Sequence, residues 1–377
     1  MIFEYFKNHF KQLTNPLLIA LFLSLPLKIS QNELVRNQSK NNDPQIVKDY
    51  KSYVLQIKNN FPKVNKYINF FSSFDTLDAN KNVITKKNLE TYVISLLTQE
   101  ANFVQKKPDG SLLQSWVGAS GVSQFTTEGV KALNNYLMKK RDTVGKSVEE
   151  KILAEKYRKI KDIDFELIQQ TDSLGVEEGL RAATLLSKIQ LQRHEGYWRF
   201  AAIEYNWGRS LKGSYIKVAP HIPRETRDYV NRIEQHMKRY SLDNYERYLE
   251  QRWGVLMIEL ENMYGNKSLQ KEDTLIAKSH YSNALELDTF LKRNNLDTLM
   301  RYQEVVIMHS HYELGEIYLH NKDTIEAVKH FSYVLKNSKK NRYENKNAEF
   351  YISKIFSTSK DSILNKEIRS LIFDTIK

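Results

Sequence analysis

The most regular hydrophobic pattern in the chain lies between residues 89 and 104. Apolar side chains recur there at helical spacing, at Leu89, Val93, Leu96, Leu97 and Val104. This period predicts an amphipathic helix, which we place at residues 90–103. Glu100 lies on the same stripe, four residues after Leu96, where the pattern predicts an apolar side chain.

Most of the remaining chain also has helical rather than strand-like patterning. The other segments predicted as helices are residues 139–161, 176–193 and 196–205, with one or two more between 31 and 86. Residues 106–116 and 118–125 carry turn-forming residues and are predicted as loops, the first of them with a small hairpin as an alternative. Only 13 glycines and 7 prolines occur in 377 residues, and apolar runs of strand length are rare. The sequence therefore predicts an all-α protein.

The C-terminal part contains an internal repeat with an offset of 50 residues. "DTLIAKSHYSNAL" (273–285) matches "DTIEAVKHFSYVL" (323–335) at several positions, including His280 with His330. Small residues such as Gly315 would let two helices of a hairpin approach closely. The pattern resembles a tetratricopeptide helix pair with an unusually long period. Such repeats stack and usually bind a protein partner, and a purely structural helical cap is the alternative.

The N-terminal residues resemble an export signal. Lys7 and Lys11 precede the apolar run "PLLIALFLSLPL" (16–27), which is short for a membrane span and suited to a signal peptide. No clean small-x-small cleavage site follows, so an uncleaved membrane anchor is the alternative. We therefore predict a protein of the cell envelope, either in the periplasm or anchored facing the wall.

The predicted domain organisation follows from these segments. The leader or anchor spans residues 1–30, a helical segment 31–85, a catalytic domain 86–240 and a tetratricopeptide-like domain 241–377.

The charge of the chain favours an anionic partner. It has 57 basic and 45 acidic residues, a net charge of +12. Nucleic acid, acidic lipid and an anionic wall polymer would all fit such a surface. No arginine-rich arm or basic run interleaved with aromatic residues is present, so nucleic acid is not expected.

The absence of cysteine excludes disulfides, a lipoprotein anchor and a cysteine nucleophile. The nine histidines do not form a metal-binding pattern, and no metal or cofactor is expected.

Three short blocks follow Glu100 along the chain. They are "GASGVSQF" (118–125), "AAIEYNWG" (201–208) and "PRETRDYV" (223–230). In this order, after a glutamate on a helix, they resemble the catalytic domain of the soluble lytic transglycosylases, the goose-lysozyme-like enzymes that cut peptidoglycan. The resemblance covers about residues 86–235. It implies a lysozyme-like helical domain that acts on peptidoglycan glycan strands.

The resemblance assigns roles to individual residues. Glu100 matches the single catalytic acid of the family. The residues that match its substrate-binding positions are Gln124 in the cleft, Tyr205 and Asn206 opposite the acid, Gly118 and Gly121 in the loop, and Ser123 in the cleft floor. Four positions depart from the family pattern: Ala101 replaces the serine after the acid, Val122-Ser123 replaces Leu-Met, and Glu204 replaces alanine.

The chemistry implied by the resemblance needs only one carboxyl group. Glu100 would protonate the leaving glycosidic oxygen, and the 6-hydroxyl of N-acetylmuramic acid would then close on C1 to give a 1,6-anhydro sugar. Ordinary glycosidases need two carboxylates. Glu204 and Asp109 are the candidates for a second one, with a structural ion pair the more usual role for Glu204. Trp116, Trp198 and Trp207 are candidates for stacking on sugar rings, or for core positions.

Two other functions compete with this interpretation. A second carboxylate in the cleft would favour a hydrolytic muramidase. Ala101 and Ser123 favour a glycan-binding adaptor without activity, acting through its helical repeats.

Overall fold

The computed structural model describes most of the chain after its leader. It covers residues 43–73, 84–115, 118–142, 148–207, 222–241, 244–296, 301–337 and 343–358, and the single positions 366, 369 and 370. These residues are almost entirely helical, and the only β-structure among them is three isolated bridges between 106 and 125. The all-α prediction is confirmed for this part of the chain. The predicted leader, residues 1–30, lies outside it.

The chain divides into two compact units. The first is Ser52–Leu249, and the second combines residues 43–51 with the chain from Glu250 onward. The helices of the first unit are α2 (Val64–Ser72), α3 (Lys86–Glu100), α4 (Thr127–Arg141), α5 (Val148–Arg158), α6 (Phe165–Ile168), α7 (Ser173–Arg193), α8 (Trp198–Trp207) and α9 (Arg224–Tyr240). Those of the second are α11 (Thr274–Arg293), α12 (Arg301–His320), α13 (Thr324–Asn337) and α14 (Tyr343–Thr358). Helices α1 (Gln45–Asn60) and α10 (Tyr245–Leu269) contribute residues to both units.

Helix α3 is the central element of the first unit. It packs against α2, α7 and α9, and every residue from Tyr92 to Glu100 is buried. The Thr85 hydroxyl caps its N-terminus by accepting from the backbone N–H of Asn88. The predicted apolar stripe lies in the core, but Ser95, Thr98 and Gln99 are buried as well, so this part of the helix is enclosed on all sides rather than amphipathic.

Helix α3 ends at Glu100, three residues before the predicted end. Asn102 and Phe103 have φ angles of 49° and 64°, which a right-handed helix does not allow. The Asn102 side chain holds this bend by donating from Nδ2 to the Leu249 carbonyl at 3.0 Å. As a result, Glu100 lies in the last turn of a buried helix.

Two further predicted segments differ in detail. The charged segment 139–161 is not one helix, because α4 ends at Arg141 and α5 begins at Val148. Residues 106–112 form a small hairpin-like turn, with a bridge between Lys106 and Leu112. No helix in the described part of the chain is long and apolar enough to cross a membrane.

The second unit reproduces the 50-residue repeat in its packing. A Cβ atom added to Gly265 would lie 2.7 Å from the Tyr281 ring, and one added to Gly315 would lie 2.6 Å from the Phe331 ring. Both pairs are related by the offset of 50, since 265 and 281 become 315 and 331. Helices α11 to α14 pack consecutively on one another. The repeated sequence thus corresponds to a repeated helix contact made possible by glycine.

Candidate active site

The carboxyl group of Glu100 lies in the interior of the first unit. Its residue is 3% exposed, and Tyr229 on α9 donates a hydrogen bond to Oε1 at 2.5 Å. Helices α3 and α9 pack directly against each other, which brings these residues together across 129 positions of sequence. Burial raises the pKa of Tyr229 well above its ordinary range, and the Glu100 carboxylate raises it further. The phenol therefore keeps its proton and remains a donor.

Burial also raises the pKa of Glu100, from 4.5 to about 7. The hydrogen bond from Tyr229 and the positive charge of Arg232 both lower it, but desolvation dominates. A carboxyl with this pKa is partly protonated at neutral pH. It can therefore donate a proton and accept one back under the same conditions.

Tyr205 joins this cluster from α8. Its ring stacks on that of Tyr229, with centroids 6.5 Å apart and planes 7° apart. The Tyr205 hydroxyl donates to the Ser123 carbonyl at 3.1 Å, which links α8 to the short 3-10 helix Gly121–Ser123. The Glu100 charge contributes to raising the pKa of Tyr205 well above its ordinary range, after burial. One residue from each of the three sequence blocks is therefore linked in a chain of contacts that ends at the glutamate.

The loop around the 3-10 helix has a tightly defined backbone. Gly118 and Gly121 have φ angles of 78° and 67°, and Gln124 has a φ of 51° in the left-handed region. The Gln124 side chain folds back on the loop, with Nε2 donating to the Gly121 carbonyl at 2.7 Å. Its Oε1 is buried and accepts no hydrogen bond within the described residues. This oxygen is therefore an unsatisfied buried acceptor in the loop.

Several other predicted residues are not part of this cluster. The Ser123 side chain is buried, with its hydroxyl directed at Gly179 of α7, so only its carbonyl meets Tyr205. Asn206 is half-buried on α8. Trp198 is half-buried, with the Arg199 guanidinium 5.2 Å from its ring centroid. Trp116 and the side chain of Trp207 lie outside the described residues.

The two candidates for a second carboxylate are engaged elsewhere. Glu204 is buried, forms an ion pair with Arg193 and shares a hydrogen bond with His194 at 2.7 Å. Asp109 is exposed, and Ser111 donates to it from both its hydroxyl and its backbone N–H. The structural ion-pair role named for Glu204 fits this arrangement.

Three residues of the cluster were not predicted as site residues. Tyr229 belongs to the "PRETRDYV" block, but the sequence does not predict that its hydroxyl contacts Glu100. Arg232 lies three residues further along α9. Tyr92, also on α3, has a buried hydroxyl with no hydrogen-bond partner in the described residues, and Glu100 raises its pKa after burial.

No protein-family model, curated protein or solved structure matches the chain. Within the described residues, no group of three or more histidine, aspartate or glutamate side chains is arranged to hold a metal ion.

Proposed function

We propose that this chain is a peptidoglycan lytic transglycosylase in which Glu100 is the single general acid and base. The observation that carries the proposal is the environment of its carboxyl group. It is buried, its pKa is raised to about 7, and it accepts a hydrogen bond from Tyr229, whose ring stacks on that of Tyr205. The order of Glu100 and the three blocks along the chain agrees with this assignment.

Burial alone does not distinguish Glu100. Glu259 in the second unit is 7% exposed, and burial raises its pKa to about 8. None of the three blocks lies near it in sequence, and within the described residues no tyrosine hydroxyl donates to its carboxyl group. The tyrosines around Glu100 therefore matter as much as the pKa, because they orient the carboxyl and can face a charged intermediate.

The reaction balances with this one carboxyl group. Protonated Glu100 gives its proton to the oxygen that leaves C1 of N-acetylmuramic acid as the glycosidic bond to N-acetylglucosamine breaks. The 6-hydroxyl of the same N-acetylmuramic acid forms the new bond to C1. Its proton passes to the Glu100 carboxylate, which restores the acid. The product is a 1,6-anhydro end, and no water is consumed.

The contacts of Glu204 support this route over hydrolysis. A hydrolytic enzyme would need a second carboxylate to activate water or to attack C1. Glu204 is instead bonded to Arg193 and His194. The proposal includes a lysozyme-like fold for the first unit, a tetratricopeptide-like fold with a protein partner for the second, and export to the cell envelope.

The test is digestion of purified sacculi followed by mass spectrometry of the released fragments. Wild type should release fragments lighter by one water than hydrolysis products, and Glu100→Gln should release about 10²–10⁴-fold less. Glu259→Gln is the matched control, since it makes the same change at a buried carboxyl of the other unit, and it should keep wild-type activity.

Each alternative has its own result in this assay. Fragments of hydrolytic mass would indicate a muramidase. A wild type that is as inert as Glu100→Gln, while still binding sacculi, would indicate an adaptor. Equal activity of wild type and Glu100→Gln would remove Glu100 from the mechanism.

A further inference from the structure

The side chain of Gln105 connects three segments of the first unit. Its Nε2 donates to the carbonyl oxygens of Ile168 at 2.9 Å and Gln170 at 2.7 Å. Its Oε1 accepts from the backbone N–H of Val122 at 2.8 Å. Gln105 is 1% exposed. The amide uses both of its protons and one acceptor site on backbone groups, so its orientation is fixed.

The position of the Gln105 side chain explains why residue 121 is glycine. A Cβ atom on Gly121 would lie 2.5 Å from Gln105 Oε1, and the φ of Gly121 is +67°. Any other residue would displace the Gln105 amide and strain the backbone. Gly121 therefore gives the Gln105 side chain the space in which it holds Val122.

The segment that Gln105 holds is in contact with the candidate acid through two aromatic rings. Val122 lies within the 3-10 helix Gly121–Ser123, and the next carbonyl, that of Ser123, accepts from Tyr205. Tyr205 stacks on Tyr229, which donates to Glu100. Gln124 follows directly and carries the unpartnered oxygen.

We propose that Gln105 is a positioning residue for the reaction at Glu100, an inference that rests on the proposed function. It fixes the loop that orients Tyr205 and presents Gln124, and it touches neither substrate nor acid. Displacement of reacting groups by about 1 Å costs on the order of 10²-fold in rate. Loss of the Gln105 amide should therefore reduce kcat with little change in KM.

The variant Gln105→Met keeps the length of the side chain and removes its three hydrogen bonds. Its kcat on sacculus-derived glycan should fall about 10- to 100-fold, while KM stays within about threefold. Asn134→Leu is the matched control. The Asn134 amide also exchanges hydrogen bonds with the backbone in the first unit, donating to and accepting from Ile163 at 2.8 and 2.7 Å. The Asn134→Leu variant should be less stable than wild type and keep the wild-type kcat. An unchanged kcat in Gln105→Met, or an equal loss in the control, would overturn the proposal.

Amide hydrogen exchange separates this proposal from the proposed function. Exchange at the Val122 N–H should become faster in Gln105→Met and stay unchanged in Asn134→Leu. If wild type shows no activity, the proposed function fails, and this exchange measurement still decides whether Gln105 holds the loop. Unchanged exchange at Val122 would overturn the positioning role independently of activity.

A double-mutant cycle tests the same contact from the side of Gly121, with a first variant that keeps the Gln105 side chain. Gly121→Ala alone should strongly reduce kcat, because the methyl group displaces the Gln105 amide. In a Gln105→Ala background the same methyl group has room, so its additional effect should be at least about threefold smaller. Independent, multiplicative effects of the two changes would overturn the coupling between these residues.

Discussion

Replacing Glu100 by glutamine should stabilise the first unit, and the gain should depend on pH. The buried carboxyl has a pKa of about 7 in the folded protein, against an ordinary value of 4.5. The folded state thus binds this proton more tightly than the unfolded state. The contribution of the group to stability is complete below pH 4.5, declines as pH rises from 4.5 to 7, and is lost above 7.

The size of the effect follows from the two pKa values. At 1.36 kcal/mol per pH unit, the rise from 4.5 to about 7 corresponds to about 3 kcal/mol. Glu100→Gln does not titrate, and its amide oxygen can still accept from Tyr229. The free energy of unfolding of the variant minus that of wild type should therefore increase by about 3 kcal/mol between pH 4 and pH 8.

Urea denaturation at intervals across this pH range measures the difference. Two further variants make the result specific. Tyr229→Phe removes a hydrogen bond that lowers the pKa of Glu100. The pH-dependent loss of stability caused by Glu100 should therefore occur at higher pH in this variant than in wild type. Glu259→Gln should show a difference that still grows between pH 7 and 8, since burial raises the pKa of Glu259 to about 8. A Glu100→Gln difference that is flat from pH 4 to 8 would refute the claim that the carboxyl is desolvated.

Two other predictions concern activity and the second unit. In the proposed mechanism Glu100 must be protonated to act as the acid, so kcat/KM should fall about tenfold per pH unit above about pH 7. It should not fall between pH 7 and pH 5. A bell-shaped profile, with a loss of activity in that acidic range, would indicate a second carboxylate. Gly315→Ala should lower the free energy of unfolding of the second unit by about 1–3 kcal/mol, because its methyl group would lie 2.6 Å from the Phe331 ring; an unchanged urea midpoint would contradict this packing.

Helix α3 shows what hydrophobic periodicity can and cannot predict. The stripe of apolar residues predicted the buried helix, and Glu100 was recognisable as the exception to the stripe. The end of the helix was not predictable in this way. It depends on the Asn102 side chain, whose partner is a carbonyl 147 residues away in sequence. Local patterning contains no information on that distant acceptor.

The candidate site was predictable in its residue types and order more than in its contacts. The blocks containing Gln124, Tyr205 and Tyr229 were identified along the chain, but the hydrogen bond from Tyr229 to Glu100 required the packing of α3 on α9. The sequence does not single out Gln105. Its three hydrogen-bond partners are backbone groups, which every residue carries, so residue types do not predict these contacts.

The two copies of the repeat in the second unit share a packing contact but differ in a polar side-chain pair. The offset of 50 keeps the contact of glycine with an aromatic ring in both copies. At another pair of matched positions the partners differ. Glu261 pairs with His280 at 2.9 Å in the first copy, whereas His311 and His330 lie 2.8 Å apart in the second. The packing contact is therefore retained although a glutamate–histidine pair in one copy corresponds to two histidines in the other.

The same distinction applies to the buried carboxyl groups. Burial raises the pKa of Glu100 to about 7 and those of Glu259 and Glu313 to about 8, so desolvation is a general consequence of packing in this chain. What is particular to Glu100 is the arrangement around it. A tyrosine hydroxyl is bonded to its carboxyl, a second ring stacks on that tyrosine, and the loop behind the second ring is held by Gln105. A proton donor needs both an appropriate pKa and a fixed direction, and of these three described carboxyl groups only that of Glu100 accepts a hydrogen bond from a tyrosine hydroxyl.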